Sequence, residues 1–393
     1  MEFWLRRWGA ALGATAATAA MVYFGNGLHP WWPLMWFAPL PVLVFALRRP
    51  AWEAGVVAFV AMMAGGLNLW SYLRVLGAPP VAWVVDFSME ALVFAAAVLL
   101  LRRLVRRGEM WSGWLALPAL WVAFEYVRNL LWPHGSAACL AYSQLKFLPF
   151  LQLASLTGPW GMSFVLLLFA AGVALGIHLW GAARGQAVRI LSVTAGVVAA
   201  VLVFGAVRLA GHQPGPEVRL GLVASDADNN WLPAQPGAAT QRLFREYAEQ
   251  AESLFARGAQ VVVIPENLGV VSDADGAEAD AIFQPVVDRA GGMLVAGMSH
   301  ISGKVAWNEA RVYAAGEPVR AYHKHHLLPP FETRLFIPGH GRLMFAGVGT
   351  AANDRWGVEI CKDMDFTEPA RGYGRAGVGL MMVPGWDFVV DAF

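Results

Sequence analysis

Two cysteines, Cys139 and Cys361, are all that this chain of 393 residues contains, which excludes a disulfide-stapled architecture. Charge is scarce too: 15% of residues carry it, for a formal net charge of +1. No basic stretch with interleaved aromatics occurs, so no nucleic-acid partner is expected. Neither a dinucleotide-binding glycine fingerprint nor a phosphate-binding loop is present, and no cofactor is expected. The nine histidines show no ligand spacing beyond HKHH at 323–326, and no carboxylate or thiol stands at ligand spacing beside that run. No metal is expected from it.

What the chain has instead is apolar sequence, 57% hydrophobic with a mean hydropathy of +0.48. That is too apolar for an ordinary water-soluble domain. The excess lies before residue 212, where runs of about 20 apolar residues recur, each long enough to cross a hydrocarbon core as a helix. The break predicts a transmembrane helical domain over 1–211 and a water-facing domain over 212–393. Seven spans are expected, roughly 8–25, 31–47, 54–73, 81–101, 112–132, 159–180 and 189–210. The basic start with Arg6 and Arg7 reads as a retained first helix, because further spans follow and no cleavage segment closes it.

Basic residues set the orientation. Arg6, Arg7, Arg48, Arg49, Arg102, Arg103, Arg106, Arg107, Arg184 and Arg189 fall in alternate loops, and the opposite set carries only Arg74, Arg128, Lys146 and Arg208. This bias places the N-terminus in the cytoplasm, and an odd number of crossings delivers the second domain to the outer face. Ionisable residues within the spans are costly there. Asp86 and Glu90 share one helix face, and Glu125 and Arg128 stand three apart in FEYVRN; they either pair within the bundle or line a cavity for a polar head group. The Pro- and Gly-broken segment 133–158 reads as an interfacial or re-entrant piece, with Tyr142 and Gln144 as candidate lipid contacts alongside Glu125, Arg128 and Trp386.

After residue 212 the pattern changes to strands and helices in alternation. EVRLGLV, AQVVVIPEN, GMLVAGMSH, GVEIC and VGLMMVP read as strands, several of them continuous apolar runs of the kind buried on both faces. WNEARVYAAGEPVRAYHK reads as a hairpin, and QRLFREYAEQAESLFARG carries apolar residues at helical spacing. EADAIFQPVVDRAG and the short TEPARGYGRA read as two further helices. An α/β sandwich follows.

Glu266 after VVVIP, Lys324 in YHKHHLLPPFE and Cys361 after GVEI stand where strands end and loops begin, the place where sites gather in such sheets. A carboxylate can take a thiol proton, the thiolate can attack an acyl carbon, and an ammonium can stabilise the oxyanion. Each residue alone has an ordinary reading as a turn carboxylate, a solvated charge or a core thiol.

PEN at 265–267, YHKHHLLPPFE at 322–332 and EICKDMDF at 359–366 resemble the Glu-Lys-Cys motifs of the nitrilase (carbon-nitrogen hydrolase) superfamily. AFEYVRN with AYSQLKFLPFLQLASLTGPWGMSF is similar to the membrane part of the apolipoprotein N-acyltransferase family. The resemblance implies a membrane helical bundle followed by an αββα sandwich. It also implies Glu266 as general base, Lys324 as oxyanion-stabilising lysine, Cys361 as nucleophile, and Glu332 as a supporting carboxylate. The expected partners are a phospholipid acyl donor, a diacylglyceryl-modified lipoprotein acceptor and the bilayer of a bacterial inner membrane, with the catalytic domain outside. The family commonly has Tyr-Glu after the nucleophile, where this chain has Lys362 and Asp363; Asp363 is expected to stand in for that carboxylate. The family also continues beyond PGWDFVVDAF, so a C-terminally incomplete sandwich is expected. Two other readings stay open: a membrane-anchored amidase that delivers the acyl group to water, and a transporter or sensor with an inactive nitrilase-like domain.

Overall fold

The computed structural model describes residues 2–75, 79–211, 215–224 and 235–385. Two compact units make up the chain, one helical and ending near residue 211, the other mixed and beginning near residue 215; Leu131–Gly135 counts with the second.

The first unit consists of α1 (Glu2–Gly25), α2 (Pro33–Phe37), α3 (Leu40–Arg48), α4 (Ala51–Gly66), α5 (Trp70–Val75), α6 (Pro80–Arg106), α7 (Met110–Leu131), α8 (Leu148–Leu151), α9 (Ala154–Leu179) and α10 (Arg184–Ala210). Helical segments occupy all seven expected spans. Among the described residues four stretches, 51–74, 80–106, 154–179 and 184–210, are long and apolar enough to cross a membrane. The others fall short for local reasons. Residues 31–47 break between α2 and α3 at Ala38 and Pro39, whereas α1 and α7, at 24 and 22 residues, have the length but are diluted by less apolar residues, Gly and Thr in α1 and Glu125, Arg128 and Asn129 in α7. α6 starts on Pro80, which has no N–H to leave orphaned, and finishes with Arg103 and Arg106 against its carbonyl end.

α9 packs closely on α10 because of its glycines. A Cβ at Gly172 would sit 2.1 Å from Thr194 Oγ1, and one at Gly176 would sit 2.6 Å from Leu191. This small-xxx-small spacing lets two helices approach where larger side chains would hold them apart.

The second unit contains β1 (Leu220–Leu222), α11 (Ala238–Ala256), β2 (Val261–Val263), β3 (Val270–Ser272), α12 (Asp273–Ala290), β4 (Met293–Ser302), β5 (Val305–Ala314), β6 (Arg320–His323), β7 (Leu343–Ala346), β8 (Arg355–Val358), α13 (Ala370–Arg375) and β9 (Val378–Met382). One sheet runs β1-β2-β4-β5-β6 with β3 also on β4, and β7-β8-β9 form another. β1, β2 and β4 are parallel, whereas β4-β5 and β5-β6 are antiparallel.

Alternation along the strands divides the buried residues into two cores. Val262, Leu294 and Ala296 pack with Phe244, Tyr247 and Ala251 of α11 and with Phe283 and Val287 of α12. On the other face Val261, Val295, Ala310, Val312 and Tyr322 meet Phe345, Trp356, Val358, Ile360 and Met382 of the second sheet. Helices, sheet and second sheet therefore stack in layers. α13 adds Tyr373, whose hydroxyl donates to the Val358 carbonyl at 2.7 Å and accepts from the Leu343 N–H at 3.0 Å. α12 is fixed at both ends, since Ser272 Oγ accepts from the Asp275 N–H and Gly291 takes the left-handed conformation that closes the helix.

Candidate active site

β2 stops at Val263, and the next residues pass alongside the middle of β4, where the Gly297 N–H bonds the Pro265 carbonyl at 3.2 Å. There Gly297 is indispensable: an added Cβ would lie 2.5 Å from Glu266 Cα and 2.5 Å from the Pro265 carbonyl. Asn267 then turns with a φ of +56°. Glu266 is thereby placed beyond the end of β2 with 3% of its surface exposed.

The Lys324 side chain arrives from the end of β6, where its own N–H bonds the Asn308 carbonyl of β5 at 2.9 Å. Its Nζ donates to Glu266 Oε1 at 2.7 Å and to Glu332 at 2.9–3.0 Å. Glu332 opens a short 3-10 turn after the two prolines, and its second oxygen accepts from the Leu328 N–H at 2.6 Å. Asn308 completes the cluster, its Nδ2 lying 2.6 Å from both Glu266 Oε1 and Glu332 Oε1. Sequence reasoning passed over Asn308. Its signal was a polar residue inside the apolar strand run WNEARVY.

Electrostatics follow from this enclosure. Burial pushes the Glu266 carboxyl above its ordinary range despite the ammonium beside it. Burial would depress the Lys324 ammonium, but the carboxylates of Glu266 and Glu332 outweigh it and hold the lysine above its usual value. Glu266 Oε2 is buried with no hydrogen-bond partner among the described residues.

Cys361 follows the end of β8 and starts a 3-10 turn, Cys361–Asp365, with a φ of +44°. A non-glycine residue in that region is strained, and such strain collects at functional positions. The stretch after β9 ties the two sheets together at this point: Pro384 O accepts from the Cys361 N–H at 2.9 Å and Gly385 O from the Glu266 N–H at 3.0 Å. Cys361 is half-buried, and its charge as a thiolate acts on both Lys324 and Lys362. Burial lowers Lys362 to about 8 and raises Asp365 to about 6.

Asp363 does not join the carboxylates around Lys324. It is fully buried and accepts from the His326 N–H at 2.8 Å, the His325 N–H at 3.1 Å and the Tyr322 hydroxyl at 2.8 Å. Burial would raise its carboxyl, but these donors hold it below the ordinary range. Its place is that of a clasp between the lysine loop and the cysteine turn. Beside the same loop a cavity of about 320 Å³ opens, lined in part by His325, His326, His340, Arg342 and Glu368.

The other expected contacts lie in the first unit. Glu125 and Arg128 do not pair with each other. Arg128 reaches α6, bonding Asp86 at 3.0 Å and also Glu90, while Glu125 Oε1 accepts from Trp121 Nε1 at 2.8 Å and the Leu140 N–H at 2.9 Å. Three residues of separation put them on neighbouring but differently partnered faces of α7. Gln144 is fully buried and bonded to Trp36 Nε1 at 2.9 Å, and the Tyr142 hydroxyl lies 2.6 Å from Ser136 Oγ. Trp386, with the rest of 386–393, lies outside the described residues. Cys139 is buried against Ser163 Oγ at 3.3 Å, a core thiol.

Two family models match parts of the chain. Residues 10–172 match the apolipoprotein N-acyltransferase N-terminal domain family, and residues 234–390 match the carbon-nitrogen hydrolase family. An apolipoprotein N-acyltransferase from Geobacter metallireducens is 30% identical over 215 residues, covering 51% of this chain and 41% of the relative. The match thus spans about two-fifths of that relative's length. Among solved structures, an amidase from Nesterenkonia sp. is 22% identical with a TM-score of 0.35, covering 44% of this chain and 66% of its own. A cysteine mutant of the Nesterenkonia sp. AN1 amidase in complex with butyramide is 22% identical with a TM-score of 0.37, covering 44% and 68%.

Proposed function

We propose, from the premise that this chain belongs with the apolipoprotein N-acyltransferases of the nitrilase superfamily, that it moves a fatty acyl group from a phospholipid to the N-terminal α-amino group of diacylglyceryl-cysteine lipoproteins. The observation that carries the reading is the buried Lys324 ammonium between Glu266 and Glu332, electrostatically coupled to Cys361 on a strained turn.

In the first half-reaction Glu266 takes the Cys361 proton on Oε2, the thiolate attacks the ester carbonyl, and Lys324 stabilises the oxyanion. The C–O bond breaks, Glu266 returns the proton to the departing lysophospholipid, and a thioester remains. In the second, the acceptor amine attacks that thioester with Glu266 as base, the C–S bond breaks, and the proton restores the thiol. A carboxylate raised by burial suits a group that must both take and return a proton near neutral pH. Glu332 and Asn308 hold the lysine and the base in register, and Asp363 holds the loop that bears the lysine.

In this reading residues 1–211 are an inner-membrane domain of seven spans and residues 212–393 a catalytic domain on the outer side. The cavity beside His325, Arg342 and Glu368 provides an entry for a polar head group. We assign Glu125, Arg128, Tyr142, Gln144 and Trp386 to lipid or substrate binding, the first four indirectly, through the packing they fix.

The test is to supply phospholipid without an amine acceptor and look for a hydroxylamine-sensitive acyl group on Cys361 by intact mass. Cys361→Ala abolishes it and Cys139→Ala leaves it, while Glu266→Gln and Lys324→Met slow its formation by about a hundredfold or more. A diacylglyceryl-cysteine peptide then discharges it as an N-acyl amide. Discharge to free fatty acid at the same rate without the peptide means an amidase, and no thioester under any condition overturns the reading.

A further inference from the structure

β5 presents Asn308 to the lysine cluster, so its neighbour Glu309 must point to the opposite face of the sheet, and His323 is set opposite Lys324 in the same way. On that opposite face Glu309 pairs across the strands with His323, and His300 of β4 lies diagonally beside it. Glu309 Oε2 is 2.9 Å from His300 Nδ1 and 2.9 Å from His323 Nε2, and the three atoms lie within 4.8 Å of one another. We propose that His300, Glu309 and His323 form a binding site for a divalent first-row transition metal, zinc by its donor set. It is distinct from the site built on Glu266, Lys324 and Cys361.

Three features support a cation at this point. First, two imidazoles with one carboxylate are the donors of a three-ligand zinc site that keeps a fourth position open. The opening exists, because the His323 side chain is 33% exposed and that of His300 is 18% exposed, while Glu309 is 2% exposed. Second, each ligand is already oriented from behind, as metal ligands require. Asp273 Oδ1 lies 2.9 Å from His300 Nε2, Arg311 Nε donates to Glu309 Oε1 at 2.6 Å, and the His323 ring stacks on Trp307 at 4.9 Å with a 13° interplanar angle. Third, the charges leave room for two positive units. Glu309, Asp273 and Asp280 surround one cation, Arg311, which bonds Asp280 at 2.9 Å. With neutral imidazoles the cluster holds an excess of two negative charges, which a dication offsets. Hydrogen counting can be met in two ways, since His300 faces a carboxylate oxygen on each ring nitrogen: an imidazolium gives both N–H groups, or a neutral ring gives one and takes a metal at the other. A metal at Nδ1 leaves the Nε2 proton for Asp273.

The test is a titration of the full chain, free of any polyhistidine tag and in detergent, with Co²⁺ and then Zn²⁺. One equivalent of Co²⁺ is expected to bind with the visible absorption of a low-coordinate nitrogen- and oxygen-ligated ion, and Zn²⁺ is expected to displace it and raise the melting temperature. His300→Asn and His323→Asn each abolish the band. Asp273→Asn, a change at an exposed residue with little risk to folding, weakens binding about tenfold. A His325→Asn/His326→Asn double variant leaves the stoichiometry and the band unchanged. No stoichiometric binding to the wild-type chain, a band unaltered in His300→Asn and His323→Asn, or one lost with His325 and His326 would each overturn the assignment.

Discussion

Replacing Glu359 by glutamine is expected to stabilise the second unit, by an amount that grows as the pH rises from 4.5 to about 7. Glu359 lies between β8 and Cys361, is fully buried, and has no hydrogen-bond partner for either carboxylate oxygen among the described residues. Burial, with a smaller push from the charge of Asp363, raises its carboxyl from the ordinary 4.5 to about 7. The folded state therefore holds this proton more tightly than the unfolded chain does. The group's contribution is most favourable below pH 4.5 and is lost as the pH rises through 7. A displacement of that size corresponds to about 3 kcal/mol between the two limits. Glutamine matches the neutral acid in size and polarity and never ionises, so the variant should equal the wild type near pH 4.5 and exceed it by about 3 kcal/mol at pH 8.5. For a domain of this size that is on the order of 6–12 °C in melting temperature. Thermal unfolding across the pH range, with hydrogen exchange of peptides spanning 355–363 as the local readout, measures it. A stability gain independent of pH, or none at pH 8.5, refutes the claim that an ionising, unpartnered carboxylate is the cause.

Two further perturbations test the framework of the site. Gly297→Ala forces a methyl group into the Glu266 backbone and should cost about 1–3 kcal/mol by overpacking, with acylation of Cys361 falling further than stability alone explains; a neutral result means that the Pro265–Glu266 turn can move aside. Asp363→Asn leaves one amide oxygen where a carboxylate received the His325 and His326 N–H groups. Faster hydrogen exchange over 323–328 and about tenfold slower acylation are expected, and an unchanged loop with unchanged rate removes Asp363 from any positioning role.

Much of this was legible in the order of residues, but unevenly. Continuous apolar runs such as VVVI and MLVAGM declared themselves as strands because both of their faces are covered, and PEN, YHKHH and EICKD stood out where those runs ended. β3 and β7 did not, since VVS and LMFA are too short to show a period. Helix breaks at Ala38 and Pro39 were hidden by uniform hydrophobicity, which marks a segment as apolar without saying whether it is straight. Arg128 was visible, but its partners Asp86 and Glu90 lie on another helix, and only packing could choose them over Glu125. The same holds for Asn308, and for His300 and Glu309: their meaning depends on cross-strand register, which one strand read alone does not contain.

The left-handed backbone at Cys361 limits what this scaffold could become. A φ of +44° is tolerated by a side chain with a single heavy atom on its β-carbon, and becomes far more costly when the β-carbon branches. Serine could therefore replace the thiol with the turn intact, whereas threonine would have to unwind it. Between the two aliphatic hydroxyl nucleophiles, the route from this fold to a relative with different chemistry passes through serine.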